Sequence, residues 1–238
     1  MFLSASILVF IRFTMLAERE VLVSTLKLTK EGTTEIESIS QEAHVPVQIV
    51  REVLRKHVNL VTYTSSLRSV SIGSEQRLKL VMKIVELGAD IERICDSLTW
   101  LEFEDVSIIA FEDNNYKTKK HFRFTWANRR WEIDILALKE PLIVCADCKH
   151  WHQGWGGSGS RKAAEMQAER TKNLYEVSKF IYDKIGMRNW KRAHFVPMIL
   201  SLVPGNQKFF KGVPIVPILQ LGDFLTSMPA YLDQIIHF

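Results

Sequence analysis

One stretch of this chain leaves little choice of local fold. Glu132-Ile133-Asp134-Ile135-Leu136-Ala137-Leu138 is followed by Glu140-Pro141 and then by Leu142-Ile143-Val144-Cys145-Ala146-Asp147-Cys148-Lys149. Two runs rich in Ile, Val and Leu on either side of a Pro-containing turn spell a β-hairpin. With the turn centred on Glu140-Pro141, residue 139 faces 142 and residue 134 faces 147. Directly opposed residues on paired strands have Cβ atoms roughly 4.5 to 5.5 Å apart, and side chains alternate between the two faces. The Asp134 and Asp147 carboxylates are therefore expected side by side on one face. Lys149, two residues further, shares that face one pleat away. Two adjacent acids beside an ammonium make a cation site.

A chain of 238 residues has room for one large or two modest domains with an ample core. Its formal charge of +4 is only mildly basic, so a polyanionic partner has to be argued from where Lys and Arg cluster. Three cysteines without repeated spacing argue against a disulfide framework and for a reducing compartment, which makes a cytoplasmic location the expectation. The apolar start, Met1 to Phe13, falls short of the ~20 residues that span a bilayer and has no basic segment ahead of it. Stable membrane association is not expected, and residues 1–14 read as an upstream extension or a disordered or packed arm.

From Met15 the pattern is three helices and then a short β-rich piece. Leu16 to Leu28 carries apolar residues at helical spacing, Thr34 precedes Glu35-Ile36-Glu37-Ser38-Ile39, and Pro46 opens an amphipathic run from Val47 to Val53. Asn59 to Tyr63 and Ser69 to Ile72 read as two short strands around Ser65-Ser66. Three helices and a hairpin over residues 15–72 resemble a winged helix. In that family the third helix enters the DNA major groove, which would present Gln48, Arg51, Arg55 and Lys56. A small helical packing or dimerisation module is the alternative.

Residues 73–98 read as linking helices broken at Gly88, with a domain boundary near Leu98. The next helix has a clear start. Thr99-Trp100-Leu101-Glu102 fits a capping box, and Leu98 with Phe103 fits a hydrophobic staple. That gives Glu102 a structural task. Glu104, in contrast, falls between Trp100, Ile108 and Phe111 inside the apolar arc, whereas Asp105, Glu112 and Asp113 fall on the polar side. A carboxylate facing a core is costly unless it is paired or meets a cation.

The helix acid Glu104, the hairpin acids Asp134 and Asp147, and Lys149 together resemble the PD-(D/E)XK phosphodiesterases. The segment Glu102-Phe103-Glu104-Asp105-Val106, and the order of a winged helix before a nuclease domain, resemble Mrr-type restriction nucleases. The nuclease core also resembles archaeal Holliday-junction resolvases. The resemblance implies a restriction-endonuclease-like α/β domain over 99–238, a mixed sheet flanked by helices. It implies catalytic roles for Glu104, Asp134, Asp147 and Lys149, with Gln167 on the following helix as a weaker match. It further implies Mg²⁺, with Mn²⁺ as a substitute, held by Asp134, Asp147, the Cys148 carbonyl and, through water, Glu104. Two departures stand out: Ile133 occupies the place of the proline in the family's motif, and many Mrr-type enzymes carry Gln where this chain has Asp147.

Positive charge is densest around this hairpin. Lys119, Lys120, Arg123, Arg129 and Arg130 precede it, with Lys117 and His121 among them, and Arg161, Lys162, Arg170 and Lys172 follow on a helix. Backbone phosphates are the expected partners. Gly154-Trp155-Gly156-Gly157-Ser158-Gly159 lacks the ending of a P-loop and reads as a loop at DNA; Trp151 and Trp155 read as packing or stacking residues. Cys145, Cys148, His150 and His152 do not form a zinc motif, because a strand turns the two cysteines to opposite faces. Cys95 and the other histidines carry no nucleophile-and-base pattern. The last third reads as a helix from Arg161 to Ile185, strands over Phe195–Val203 and Val213–Ile218, and a closing helix from about Leu221. The function expected is a Mg²⁺-dependent DNA endonuclease of the Mrr-like restriction type, acting as a homodimer. The alternatives are a junction- or flap-specific nuclease of repair or recombination, and a non-catalytic winged-helix DNA-binding protein built on a nuclease-like scaffold.

Overall fold

The computed structural model describes residues 5–89, 94, 97–149, 158–202, 204–205 and 207–238, with the side chains of 5–13 left aside. The chain forms two compact units, Met1–Glu102 and Phe103–Phe238. The first contains helices α1 (Ala5–Leu28), α2 (Ile36–Ala43), α3 (Val47–Lys56) and α4 (Ser74–Glu86), with strands β1 (Thr34–Glu35), β2 (Thr62–Tyr63) and β3 (Ser69–Ser71). The strands form a small antiparallel sheet in the order β1-β3-β2.

Helix α1 carries its apolar stripe, Val21, Leu22 and Leu26, into a core shared with Ile36 and Ile39 of α2, Val50 and Leu54 of α3, and Leu80 and Ile84 of α4. The spacing of these residues is the three-to-four rhythm of a half-buried helix. The backbone of 5–14 continues α1, which corrects the disordered arm that was one of the expectations there. Thr34 and Glu35 form a strand against Val70 and Ser69 where a helix start was expected. No helix among the described residues is long and apolar enough to cross a membrane.

One charged side chain ties this unit together. Arg77 of α4 is buried and hydrogen-bonds through its guanidinium to Glu102 Oε1, to the Leu26 carbonyl at 2.9 Å, to Thr29 Oγ1 at 3.1 Å and to the Ser97 carbonyl at 2.8 Å. Glu102 is also the capping-box residue: its Oε2 accepts from the Thr99 amide at 2.7 Å, and its own amide donates to Thr99 Oγ1 at 3.3 Å.

The second unit contains the rest of helix α5 (Trp100–Asp113), strands β4 (Lys117–Trp126), β5 (Arg129–Lys139) and β6 (Leu142–Lys149), the long helix α6 (Ser158–Ile185) and strand β7 (His194–Ser201). It closes with β8 (Phe209–Phe210), β9 (Val213–Pro217), a 3₁₀ turn, α7 (Leu221–Ser227) and a second 3₁₀ stretch. The strands make one six-stranded mixed sheet in the order β4-β5-β6-β7-β9-β8. Strands β4, β5 and β6 are antiparallel, β6-β7-β9 are parallel, and β8 returns antiparallel on β9. Leu142 through Cys148 are buried throughout, as befits a strand with hydrogen-bonded neighbours on both sides and covered faces. Helix α6 lies against β7 and carries Leu174 and Val177 into a cluster with Phe122, Ile133, Leu136, Leu138, Ile143 and Phe195.

Leaving Glu102 buried without its cation strands a charge in a dry interior, a change that typically costs about 3–5 kcal/mol. Arg77→Ala is expected to lower the denaturation midpoint of the Met1–Glu102 unit accordingly, as followed by circular dichroism in urea. Lys79→Ala, which removes only a solvent-exposed ion pair with Glu75, is expected to leave the midpoint in place.

Candidate active site

The β5–β6 register runs from Lys139↔Leu142 to Ile135↔Ala146, as the turn at Glu140-Pro141 requires; it ends one position short of the two acids, and the charge of Asp147 acts on Asp134 just beyond it. Asp134 Oδ2 accepts the Cys148 amide at 2.9 Å. Asp147 is buried and gives its two carboxylate oxygens to two cations: Oδ2 to Lys149 Nζ at 2.7 Å and Oδ1 to Arg170 Nη1 at 2.6 Å. Burial, and after it the neighbouring charge of Asp147, push the Asp134 carboxyl up to about 6, against the smaller opposing pull of the Cys148 amide and Lys149. Proximity of the two acids thus has an electrostatic signature.

Glu104 enters from α5 and is only 1% exposed. Its Oε2 is 3.3 Å from Lys120 Nζ and 3.3 Å from His121 Nε2. Glu104 also contributes to the raised pKa of Asp134, which places its charge near the acid pair. Lys120 bridges Glu104 and Asp105, and although burial opposes its charge, the hydrogen bonds it donates to both acids lift its pKa. The other ring nitrogen of His121, Nδ1, is 3.1 Å from Glu132 Oε1, and Glu132 Oε2 is 2.5 Å from Arg123 Nε. Glu104, His121, Glu132 and Arg123 therefore form one string leading from the buried acid to the surface.

His121 was not singled out by sequence reasoning as a site residue. Its φ of 50° lies in the left-handed region within strand β4, between the pairs Lys120↔Ile135 and Phe122↔Ile133 that leave it across from Asp134. Such a conformation costs on the order of 1–3 kcal/mol in a non-glycine residue and gathers at functional sites. Strand β5 is irregular at the same point. Trp131 and Ile133 join the same buried cluster as Leu136 and Leu138, so the two-residue alternation changes phase near Asp134. A histidine directly after the lysines of Lys117-Thr118-Lys119-Lys120-His121 gave no signal of this.

Gln167 of α6 is fully buried; its Nε2 donates to the Cys145 carbonyl at 2.7 Å and its Oε1 accepts from Arg170 at 3.3 Å. The basic residues divide into two groups. Lys119 donates to the Lys184 carbonyl at the end of α6, Lys120 and Arg123 are in the acid string, and Arg170 is on Asp147 rather than on an outer helix face. Arg130, Arg161 and Lys162 are exposed, and Arg129 lies 4.0 Å above the Trp131 ring while approaching Glu169. In the other unit Gln48 and Arg55 are exposed on α3, Arg51 pairs with Glu37, and Lys56 pairs with Glu18. Cys95, residues 150–157 of the glycine-rich region, and with them Trp151 and Trp155, lie outside the described residues.

The residues present suit a hard divalent cation. Two adjacent carboxylates supply oxygen donors, and like charges forced together in a buried place are relieved by a shared cation. The Cys148 thiol, driven well above its usual range by burial and the surrounding carboxylates, is no competing soft donor. Among the described residues no three His, Cys, Asp or Glu side chains converge into a complete ligand shell, so two carboxylates with water in the remaining positions is the arrangement that fits.

Fold and site define a mixed α/β protein, a six-stranded sheet flanked by helices, with an acid pair and a lysine on its central hairpin. No family model matches the chain. An uncharacterized protein from Archaeoglobus fulgidus is 30% identical over 138 residues, which amount to 58% of this chain and 97% of that protein. The chain belongs to the family of that protein. Among solved structures it is similar to protein VC1899 from Vibrio cholerae, with a TM-score of 0.35 and 13% identity over 92% of this chain and 51% of that one. It is also similar to restriction endonuclease FokI, with a TM-score of 0.41 and 13% identity over 90% of this chain and 44% of that one. The chain thus matches about half the length of each of these structures.

The raised carboxyl of Asp134 has a sign that can be measured. The folded chain holds this proton up to about pH 6, whereas an unfolded aspartate releases it near 3.8. Between these values the native state binds more protons, so this contribution to stability is complete below the unfolded value and is lost as pH rises through about 6. At about 1.4 kcal/mol per unit the loss is on the order of 2–3 kcal/mol. Asp134→Asn removes it. The stability difference, wild type minus Asp134→Asn, is expected to fall from pH 4 to pH 7 in denaturant titrations without divalent ions; a flat difference contradicts the raised carboxyl.

Proposed function

We propose that this protein is a metal-dependent phosphodiesterase that cuts DNA, of the PD-(D/E)XK class and Mrr-like in organisation. The observation that carries the reading is half-buried Asp134 next to buried Asp147, with Lys149 at 2.7 Å from Asp147 on the same hairpin. Asp134 and Asp147 would hold Mg²⁺, or Mn²⁺ in its place, which would supply Lewis acidity and a water of lowered pKa. Lys149, fixed at the mouth of the acid pair, orients the attacking water and donates to the oxygen on which charge develops. A prepositioned ammonium in a partly dry site does this without reorganisation. Glu104, anchored by Lys120 and His121, adds its charge beside Asp134 and holds the water on that side. Gln167 keeps α6 in register with β6 through the Cys145 carbonyl.

The Met1–Glu102 unit acts in this reading as a winged-helix DNA-binding unit. What supports it is the order β1-α2-α3-β2-β3, the three-stranded sheet β1-β3-β2, and a third helix with Gln48 and Arg55 outward. In the nuclease unit Arg129, Arg130, Arg161 and Lys162 are placed for phosphates, and cutting both strands favours two copies of the chain working together.

The test is nicking of supercoiled plasmid. Wild type is expected to relax it with Mg²⁺ or Mn²⁺ and not with EDTA, whereas Asp134→Ala and Lys149→Ala lose at least a hundredfold in rate, the scale typical of removing one electrostatic or acid–base group. Equal cutting by all three proteins rejects the reading, and no cutting by any, with DNA binding kept, favours a non-catalytic DNA-binding protein. Four-way-junction DNA in competition with linear duplex assigns the substrate shape. Arg55→Ala is expected to weaken duplex binding and to reduce the slope of log K against log salt by about 0.9, as the loss of one phosphate contact does; an unchanged slope removes α3 from the interface.

A further inference from the structure

The reaction as proposed leaves one group at the site without a task. Arg170 Nη1 donates to Asp147 Oδ1 at 2.6 Å while Lys149 holds the other oxygen at 2.7 Å, so Asp147 has one cation from its own strand and one from the next helix. The Arg170 side chain is 23% exposed, and the carboxylate it holds is 3% exposed. The same Nη1 is 3.3 Å from Gln167 Oε1, and Gln167 is pinned by its Nε2 to the Cys145 carbonyl. The guanidinium therefore has a fixed seat beside Gln167 and a reach toward solvent. Its planar fork suits carboxylate and phosphate oxygens alike.

We propose, on the basis of the metal-dependent reading above, that Arg170 is a built-in competitor of the metal: it holds Asp147 Oδ1 until a divalent cation takes that oxygen, and is then released to a phosphate of the bound nucleic acid. Two cations cannot share one carboxylate oxygen at hydrogen-bond distance without strong repulsion, and Oδ1 is the side that Lys149 leaves to Arg170. A released arginine next to a phosphodiester exchanges one oxyanion for another. Metal and DNA then bind with positive coupling, and by linkage each strengthens the other to the same degree.

The experiment compares wild type with Arg170→Gln, Arg170→Lys and Asp147→Asn, each first checked for native circular dichroism. Mn²⁺ affinity without DNA is measured by titration calorimetry. Arg170→Gln is expected to bind Mn²⁺ about tenfold more tightly than wild type, within the usual range of coupled binding events, with Arg170→Lys between them. Duplex binding is then followed by fluorescence anisotropy against salt. With Ca²⁺ the slope of log K against log salt is expected to be steeper for wild type than for Arg170→Gln by about 0.9, and with EDTA the two slopes coincide. Mn²⁺ binding to Arg170→Gln that equals or falls below wild type overturns the proposal, because an arginine that only positions Asp147 for the metal gives that result. Equal slopes in Ca²⁺ overturn it too. Loss of Mn²⁺ binding in Asp147→Asn together with either result leaves the metal site standing and rejects only the competitor role. Mn²⁺ binding untouched by Asp147→Asn rejects the metal site itself and the competitor role with it.

Discussion

Two carboxylates held next to each other across a strand pair are the constraint around which this unit is organised. The β5–β6 register carries both acids to the same end of the hairpin, where the Cys148 amide meets Asp134, and burial makes their proximity expensive. Everything nearest to the pair works against that expense. The Cys148 amide points at Asp134, Lys149 and Arg170 take one oxygen each of Asp147, and Lys120 and His121 answer Glu104. An array of this kind is poor value as a stability device, since apolar residues of similar size would pack there at lower cost. It fits the metal-dependent reaction proposed above better than it fits a role in stability.

The fold supplies these groups from separate places and keeps them in position by unrelated means. β6 runs between an antiparallel and a parallel neighbour, and its residues from Leu142 to Cys148 are buried, so Asp147 rests on a strand paired along both edges. Glu104 is on α5. Gln167 and Arg170 are on α6, which is held to the sheet by Leu174 and Val177 and by the Gln167 contact with the Cys145 carbonyl. Precision at the centre follows from apolar packing around it and from hydrogen bonds to main-chain atoms, neither of which depends on a ligand.

Legibility in the sequence followed physical locality. The hairpin, its register and the shared face of Asp147 and Lys149 were readable because period-two alternation and a turn fix which residues are opposite, and the capping box at Thr99 and Glu102 was readable because both partners are three residues apart. Burial of Glu104 followed from its angle on the helix. Strand β4 was hidden, because Lys117, Lys119 and Lys120 mask the alternation of Phe122 and Phe124 that packs it against the core. Strand β1 was missed because two residues make no pattern on their own; Thr34 and Glu35 become a strand only by meeting Val70 and Ser69. Arg77 was read as part of a linking helix and Arg170 as a surface cation for the same reason. Their partners, Glu102 and Asp147, are distant in the chain, and one-dimensional spacing carries no information on such meetings.

The bond between Asp134 and residue 148 is made by the main-chain amide, so it is blind to what side chain that residue carries. Serine, valine or alanine in place of Cys148 would present the same N–H to the carboxylate, and the thiol is replaceable wherever its volume can be matched. Proline alone is barred, having no hydrogen to give. What the Asp-Cys-Lys triplet contributes to the site is thus two charged side chains and, between them, one main-chain hydrogen.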